Sequence, residues 1–343
     1  MEPTNVCILG MGLIGGSLMR DLAADGAPVF GWNRSAVTVD AAQAEGFDVS
    51  GDLPTTLRRA NESQALIVIA TPLFTVGDIL DAIAEHAPDC GITDVVSVKT
   101  AVQEEVNARG LQDSFVGSHP MAGLADAGWS ATLTGLFTGA AWVVTYDTAE
   151  AALRDGTEPS EHWLTVFRQV VELALSVGSE VVPARSYDHD RSVARVSHVP
   201  HVLARALSLV GESGGPLAFS LAAGSYRDST RVAGSPPDLV RAMCEGNTGP
   251  VVEALDELLA HLVLARDELV EHGTVETLAI SGTEARLHFE ELAGRTSHGG
   301  SESNRPVVAV DLHAPAGELI TELQRAESEG ARIVQLDSGT SIR

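Results

Sequence analysis

The sequence predicts an α/β protein: a doubly wound parallel sheet, then an all-helical domain, then a short C-terminal tail. Three observations lead there. Apolar strand-like runs alternate with amphipathic helical patterns from the N-terminus to about residue 184. A glycine-rich turn, G-M-G-L-I-G, lies directly between the first run and the first helical pattern. After Pro183 the strand signal fades and long helical periodicities replace it.

In order, VCILG (residues 6–10) reads as a short buried strand that ends in glycine. LIGGSLMRDLAADG follows as a helix stopped by Gly26, and APVFGWN (27–33) is a second strand. ALIVIAT (65–71) is a third strand, apolar up to its closing Thr71, as a central parallel strand requires. TPLFTVGDILDAIAEHAP is an amphipathic helix with Pro72 near its start, and ITDVVSV (92–98) is a fourth strand. GAAWVVTY (139–146) is another strand, HWLTVFRQVVELALSVG a helix ending at Gly178, and SEVVP a last short strand of the same sheet. Residues 185–292 carry helical patterns such as DHDRSVARVSHVPHVLARALSLV and PVVEALDELLAHLVLARDELVEHG. GRTSHGGSESNR (294–305) is a polar linker. The tail, PVVAVDLHAPAGELITELQRAESEGARIVQL, reads as strand–helix–strand, too short for a full regulatory domain. The expected division is 1–184, 185–292 and 293–343.

Composition narrows the partners. The chain has 343 residues, 44% hydrophobic and 20% charged, which is ordinary for a globular protein with a good core. Its net charge of −25, from 22 basic and 47 acidic residues, argues against nucleic acid and anionic membrane surfaces. An anionic ligand would need local cations working against that field. Cys7, Cys90 and Cys244 have neither disulfide nor metal-ligand spacing, so a reducing, cytoplasmic setting and no metal are expected. The opening MEPTN lacks a basic region, and the apolar run after it is short and glycine-interrupted, so neither a signal peptide nor a membrane span is expected.

The glycine-rich turn sits where a Rossmann-type dinucleotide site needs it, after a strand and opening a helix. Gly10, Gly12 and Gly15 allow a tight turn, close approach of a pyrophosphate, and close helix–strand packing. The helix N-terminus then favours the phosphates. Leu13 and Ile14 within the turn, and Thr71 at the end of the third strand, complete the expected cofactor contacts. NAD-selective sites carry Asp or Glu after the second strand, to hold the ribose 2′-hydroxyl. Here that position reads Asn33-Arg34-Ser35. Arg34 is suited to pair with a 2′-phosphate, and Asn33 and Ser35 to hydrogen-bond it, so NADP is expected, with NAD the alternative. Arg34 stacked on adenine would serve either.

GSHPMAG (117–123) places His119 on a tight segment near the carboxyl edge of the sheet. Pro120 pushes it toward extended geometry. It is either a turn decoration or a general base that takes a proton from an alcohol as hydride leaves the same carbon. Ser97, in S-V-K-T, would orient that imidazole, bond the substrate, or simply cap a helix. His198 and His201, in S-H-V-P-H, share a helical face at i, i+3, with Arg191, Arg195 and Arg205 nearby. That stripe is either an anion site or a solvated face paired with acids. Arg227 and Arg231, in SYRDSTR, suit carboxylate capture, or salt bridges to Asp228 or Asp238.

Together V-x-I-L-G-x-G-L-I-G-G-S-L, D-V-V-S-V-K, G-S-H-P-M-A-G, S-H-x-P-H and R-D-S-T-R-V-A resemble the prephenate/arogenate dehydrogenase family over about residues 5–275. The form with Asn-Arg-Ser after the second strand is similar to the coryneform-like arogenate dehydrogenases. The resemblance implies a small-molecule substrate, an all-helical dimerisation domain and a homodimer. It implies that His119 contacts the ring hydroxyl, that Ser97 supports His119 and the nicotinamide, that His201 contacts substrate beside His198, and that Arg231 binds a substrate carboxylate. Two rivals remain. Another two-domain hydroxyacid or imine oxidoreductase would lack the GSHPMAG histidine, and its hydroxyacid members use a lysine in the helical domain. Residues 185–292 contain none. A non-catalytic NADP-binding sensor would function without His119.

Overall fold

The structure is a computed structural model that describes residues 4–124, 126–293 and 304–334. Its first sheet contains β1 (Val6–Leu9), β2 (Val29–Trp32), β3 (Val49–Ser50), β4 (Leu66–Ile69), β5 (Ile92–Asp94) and β6 (Phe115–Val116). The spatial order is β3-β2-β1-β4-β5-β6, parallel throughout. β1 and β4 are buried at every position, as strands covered on both faces must be. Crossovers run through α1 (Leu13–Ala24), α2 (Ala36–Ala44), α3 (Leu53–Glu62), α4 (Val76–His86) and α5 (Thr100–Ala108). The order reverses between β1 and β4, so the carboxyl ends of these two strands open a ligand crevice. The expected doubly wound fold is present. The expected fourth strand is shorter than its apolar run, ending at Asp94 rather than at residue 98.

The strands expected at 139–146 and in SEVVP exist, but not in that sheet. They form a second, three-stranded sheet with β7 (Ser118–Pro120), in the order β7, β8 (Ala141–Thr145), β9 (Glu180–Ala184). β7 is antiparallel to β8, and β8 is parallel to β9. The junction is Gly117, between β6 and β7. A Cβ there would lie 2.8 Å from Thr145 Oγ1, so only glycine lets the chain pass this close to β8. Two more helices belong to this part, α6 (Asp147–Arg154) and α7 (Glu161–Ser176). Helix α7 packs on β6, β8 and β9, and its Trp163 and Phe167 are buried with Trp142 of β8.

The helical part runs through α8 (Ser186–Val193), α9 (Val199–Ser213), α10 (Gly215–Leu221), α11 (Gly224–Thr230), α12 (Pro237–Glu245), α13 (Thr248–His272) and α14 (Glu276–Ala293). A π-helical turn, Ala194–His198, joins α8 to α9. Pro200 explains it in part: without an N–H it cannot bond the carbonyl of Val196, so the regular ladder is interrupted there. The buried apolar core of this part is small, centred on Ala194, Val199, Val251 and Ala254. Large apolar side chains stay exposed along α13 and α14, among them Leu259, Val263, Val270, Ile280 and Phe289.

The linker expected at 294–305 lies outside the described residues except for its last two. The tail that follows packs onto the second sheet. Val308, Val310 and Leu312 join Leu319, Ile320 and Leu323 of α15 (Ala316–Glu329) in the main core. Ile333 then bridges Val181 of β9 in antiparallel fashion. Residues 335–343, including the end of the expected last strand, lie outside the described residues.

Candidate active site

At the β1–β4 crevice the glycine turn behaves as its spacing requires. Gly10 has φ +112°, and a Cβ there would lie 2.5 Å from the carbonyl oxygen of Ala70. A Cβ on Gly15 would sit 2.0 Å from Gly10 O, so α1 approaches β1 only because that position is glycine. Gly12 faces open space and, as N-cap of α1, offers no side-chain cap, which leaves first-turn N–H groups free for an anion. Leu13 and Ile14 are half-buried beside it. Asn33 Oδ1 accepts from Met11 N at 2.9 Å and so braces the turn from β2. The buried Oγ1 of Thr71 has no hydrogen-bond partner. An uncapped helix start, a glycine cradle and an orphaned hydroxyl fit a dinucleotide. Arg34 is exposed, and Ser35 caps α2 by accepting from Thr38 N.

His119 stands on β7, opposite Val143 of β8, and is partly exposed. Its Nδ1 lies 2.9 Å from Nε2 of His189, and the rings meet edge to face at 79°. His189 Nδ1 is in turn 2.8 Å from Asp190 Oδ1. Asp190 also accepts from the backbone N–H groups of Lys99 and Thr100, both at 2.8 Å, and so caps α5 from the helical part. His119, His189 and Asp190 therefore form one chain of side chains across the two parts of the molecule.

Burial first, then the neighbouring His189, Lys99 and His198, hold the His119 imidazole well below its ordinary range. Burial likewise lowers His189, against the pull of Asp190. Burial works to raise Asp190, but the hydrogen bonds and charge of His189, with those from Thr100 and Lys99, hold its carboxyl below the ordinary value. At neutral pH the chain is thus a carboxylate behind two neutral imidazoles.

A second buried pair anchors the strand that carries His119. Lys99 Nζ donates to Asp94 Oδ2 and, at 2.6 Å, to the carbonyl of Ser118. Asp94 accepts from Val96 N at 3.0 Å and Ser118 N at 3.2 Å. Burial pushes Asp94 up and Lys99 down, each opposed by its partner.

The other expected residues divide. Ser97 is half-buried but makes no hydrogen bond to His119, whose partner is His189. Nor does it cap α5, since Asp190 does that work. His198 is buried beside His189 and pushed down to about 4, chiefly by burial. Its Nδ1 lies 3.2 Å from Asn247 Nδ2, which also donates to Asp190 O. His201 keeps a buried Nδ1 without a partner. Burial, with Arg205 and then Arg231 nearby, lowers its imidazole. The π turn breaks the single helical face expected for this stripe. Arg191 and Arg195 belong to a solvated face, paired with Glu253 and Glu257. Arg205 donates to the carbonyls of His201, Val232 and Ser235. Arg231 is exposed just past the end of α11, with no ion pair among the described residues, so the alternative salt bridge to Asp228 or Asp238 is absent.

The residues the sequence reading missed are Asp94, Lys99, His189, Asp190 and Asn247. Lys99 lies in S-V-K-T and His189-Asp190 in DHDR, but only the fold brings them to His119.

Known proteins with similar sequences place the chain in a family. The prephenate dehydrogenase nucleotide-binding domain profile matches residues 19–155, and the prephenate dehydrogenase dimerisation domain profile matches residues 185–280. A crystal structure from Corynebacterium glutamicum, provisionally called a prephenate dehydrogenase, is 52% identical. It has a TM-score of 0.89, with 96% of this chain and 98% of that one covered. The arogenate dehydrogenase of Synechocystis is 28% identical with a TM-score of 0.65, over 83% of this chain and all of that one (100%). A cyclohexadienyl dehydrogenase of Zymomonas mobilis is 28% identical over 78% of this chain and 92% of its own length. With the dinucleotide crevice and the histidine site joined on one fold, this chain belongs to the prephenate/arogenate dehydrogenase family of NAD(P)-dependent oxidoreductases.

Proposed function

We propose that the chain catalyses a step of L-tyrosine biosynthesis, the oxidative decarboxylation of prephenate to 4-hydroxyphenylpyruvate, of arogenate to tyrosine, or of both. The observation that carries this reading is His119: neutral, on the edge strand of the second sheet, with Nδ1 engaged and no protein partner on Nε2 among the described residues. A nicotinamide bound in the crevice supplies the two-electron oxidant that takes hydride from the ring carbon bearing the hydroxyl. His119 Nε2 accepts the hydroxyl proton as the carbonyl forms. The product is a vinylogous β-keto acid, so carbon dioxide leaves and the ring becomes aromatic, which makes the step effectively irreversible. His201, with its unpartnered Nδ1, and the nearby guanidinium of Arg231 are the groups proposed to hold substrate, with His198 setting the wall beside them. Ser97 is proposed to act on bound substrate or nicotinamide rather than on His119.

For the cofactor, the proposal is Gly10, Gly12, Leu13, Ile14, Gly15, Asn33, Arg34, Ser35 and Thr71 as its contacts and NADP as the preferred form. Arg34 is unpaired among the described residues, and no carboxylate stands at 33–35 to repel a 2′-phosphate. For assembly, the proposal is a homodimer through residues 185–292, supported by the apolar side chains left exposed on α13 and α14. The division at 184/185 and 292/293 is proposed with it, the tail being bound to the first part. The test is turnover of prephenate and arogenate, each with NADP and NAD. Reduced cofactor is expected to accumulate in at least one reaction, fastest with NADP. A folded, cofactor-binding protein that is silent in all four overturns the reading.

A further inference from the structure

The chain of side chains behind His119 has a directional consequence. Asp190 is fixed by two backbone donors at the start of α5, and its Oδ1 faces His189 Nδ1 at 2.8 Å. A carboxylate only accepts, so His189 Nδ1 must carry a proton. With His189 neutral, its Nε2 is then a bare lone pair. The atom facing that lone pair, at 2.9 Å, is His119 Nδ1, which must therefore be protonated as well. One proton remains to be assigned on His119, and it is the absent one: Nε2 is left bare.

We propose that His189 and Asp190 are positioning residues that lock His119 in the Nδ1–H tautomer, so that Nε2 is the atom that receives the substrate proton. The inference rests on the reading of His119 as the base, and it assigns a function to two buried residues, His189 and Asp190, 3% and 1% exposed. When His119 gains its second proton, the cation is still donating to the His189 lone pair, with the Asp190 charge one ring further back. A catalytic Asp behind a histidine base fixes its tautomer by the same logic in the serine proteases, where losing it costs about 10⁴ in kcat. Here a second imidazole is interposed, which carries the effect of the carboxylate from the helical part to the second sheet. The arrangement also explains why His189 has to stay neutral. A doubly protonated His189 would donate to His119 Nδ1 and force the proton onto Nε2, the wrong tautomer. Burial of His189 works against that state.

The direct test is nitrogen-15 NMR of the wild-type protein, with the His119 signals assigned by comparison with His119→Asn. The expected result is a protonated Nδ1 and an unprotonated Nε2 in the resting enzyme at neutral pH. A resting enzyme with the proton on Nε2 overturns the proposal. Since this spectrum needs no substrate, it stands or falls apart from the assignment of the reaction, which wild-type turnover decides. The second test is His189→Gln and Asp190→Asn, measured for kcat, KM for cofactor and the His119 nitrogen spectrum together. Both variants are expected to lose about 10²-fold or more in kcat with cofactor KM little changed, and to show a mixed His119 tautomer. A folded His189→Gln with wild-type kcat, or one that loses kcat while His119 keeps the pure Nδ1–H form, overturns it.

Discussion

Replacing Lys99 by Met removes one member of a buried ion pair and leaves the other in place. Lys99 and Asp94 are 1% and 0% exposed, so Asp94 would have no water to turn to. A buried charge stripped of its partner costs about 3–5 kcal/mol. The alternative is protonation of Asp94 in the folded state: an ordinary carboxyl of about 3.9 costs about 4 kcal/mol to protonate at pH 7. The two routes agree on about 4 kcal/mol, and the lost bond to the Ser118 carbonyl adds about 1 kcal/mol.

The sign follows from the direction of the shift. In the variant the folded-state value of Asp94 is raised, so its destabilisation is absent below the unfolded value and grows as pH rises through the folded one. Urea denaturation at fixed protein concentration, at pH 5 and pH 7, is the assay. The loss is expected to be larger at pH 7. The double variant Lys99→Met/Asp94→Asn is expected to recover more than half of it, because the new side-chain amide carries no charge and keeps an oxygen acceptor for the Val96 or Ser118 N–H. A single variant within about 1 kcal/mol of wild type at pH 7, or a deficit that does not vary with pH, would refute the reasoning.

Gly15→Ala places a methyl 2.0 Å from Gly10 O, so overpacking of about 1–3 kcal/mol and weaker NADP binding are expected, checked by melting and calorimetry. Glu327 accepts from Arg185 N at 2.8 Å, Arg185 Nε at 3.1 Å and Tyr146 OH, so Glu327→Ala is expected to cost about 1–3 kcal/mol in denaturant unfolding by freeing the start of α8. Because the active imidazole is the neutral form and its value is lowered, kcat/KM is expected to stay level from pH 7.5 down past 6.5, with its acid limb below that; a limb centred above 6.5 in a pH–rate profile would contradict the burial of His119. Arg34→Ala is expected to raise KM for NADP by about tenfold while leaving NAD nearly unchanged, read from paired cofactor titrations.

The first sheet was legible because β1 and β4 are apolar throughout and β1 ends in a glycine turn with a fixed spacing. β3 and β6 escaped because two residues carry no periodicity. The second sheet escaped for a different reason: Trp142, Val143 and Val144 are as apolar as a central parallel strand, and nothing local says which neighbour they pair with. His119 was legible because histidine on a tight Gly-Pro segment is uncommon without a task. Its supports were not. Asp190 reaches Lys99 N across 91 positions, and nothing local in S-V-K-T marks Lys99 as buried against Asp94. The basic stripe from Arg191 to Arg205 was the weakest guide, since charges on a helix face find partners on a neighbour such as α13 more readily than ligands.

The most direct test of the central claim compares wild type with His119→Asn for turnover of prephenate and arogenate and, separately, for NADP binding by calorimetry. Wild-type turnover, its loss by at least about 10²-fold in the variant, and unchanged cofactor affinity are the predicted results. A His119→Asn protein that binds NADP and still turns over either substrate at the wild-type rate would show that the base lies elsewhere.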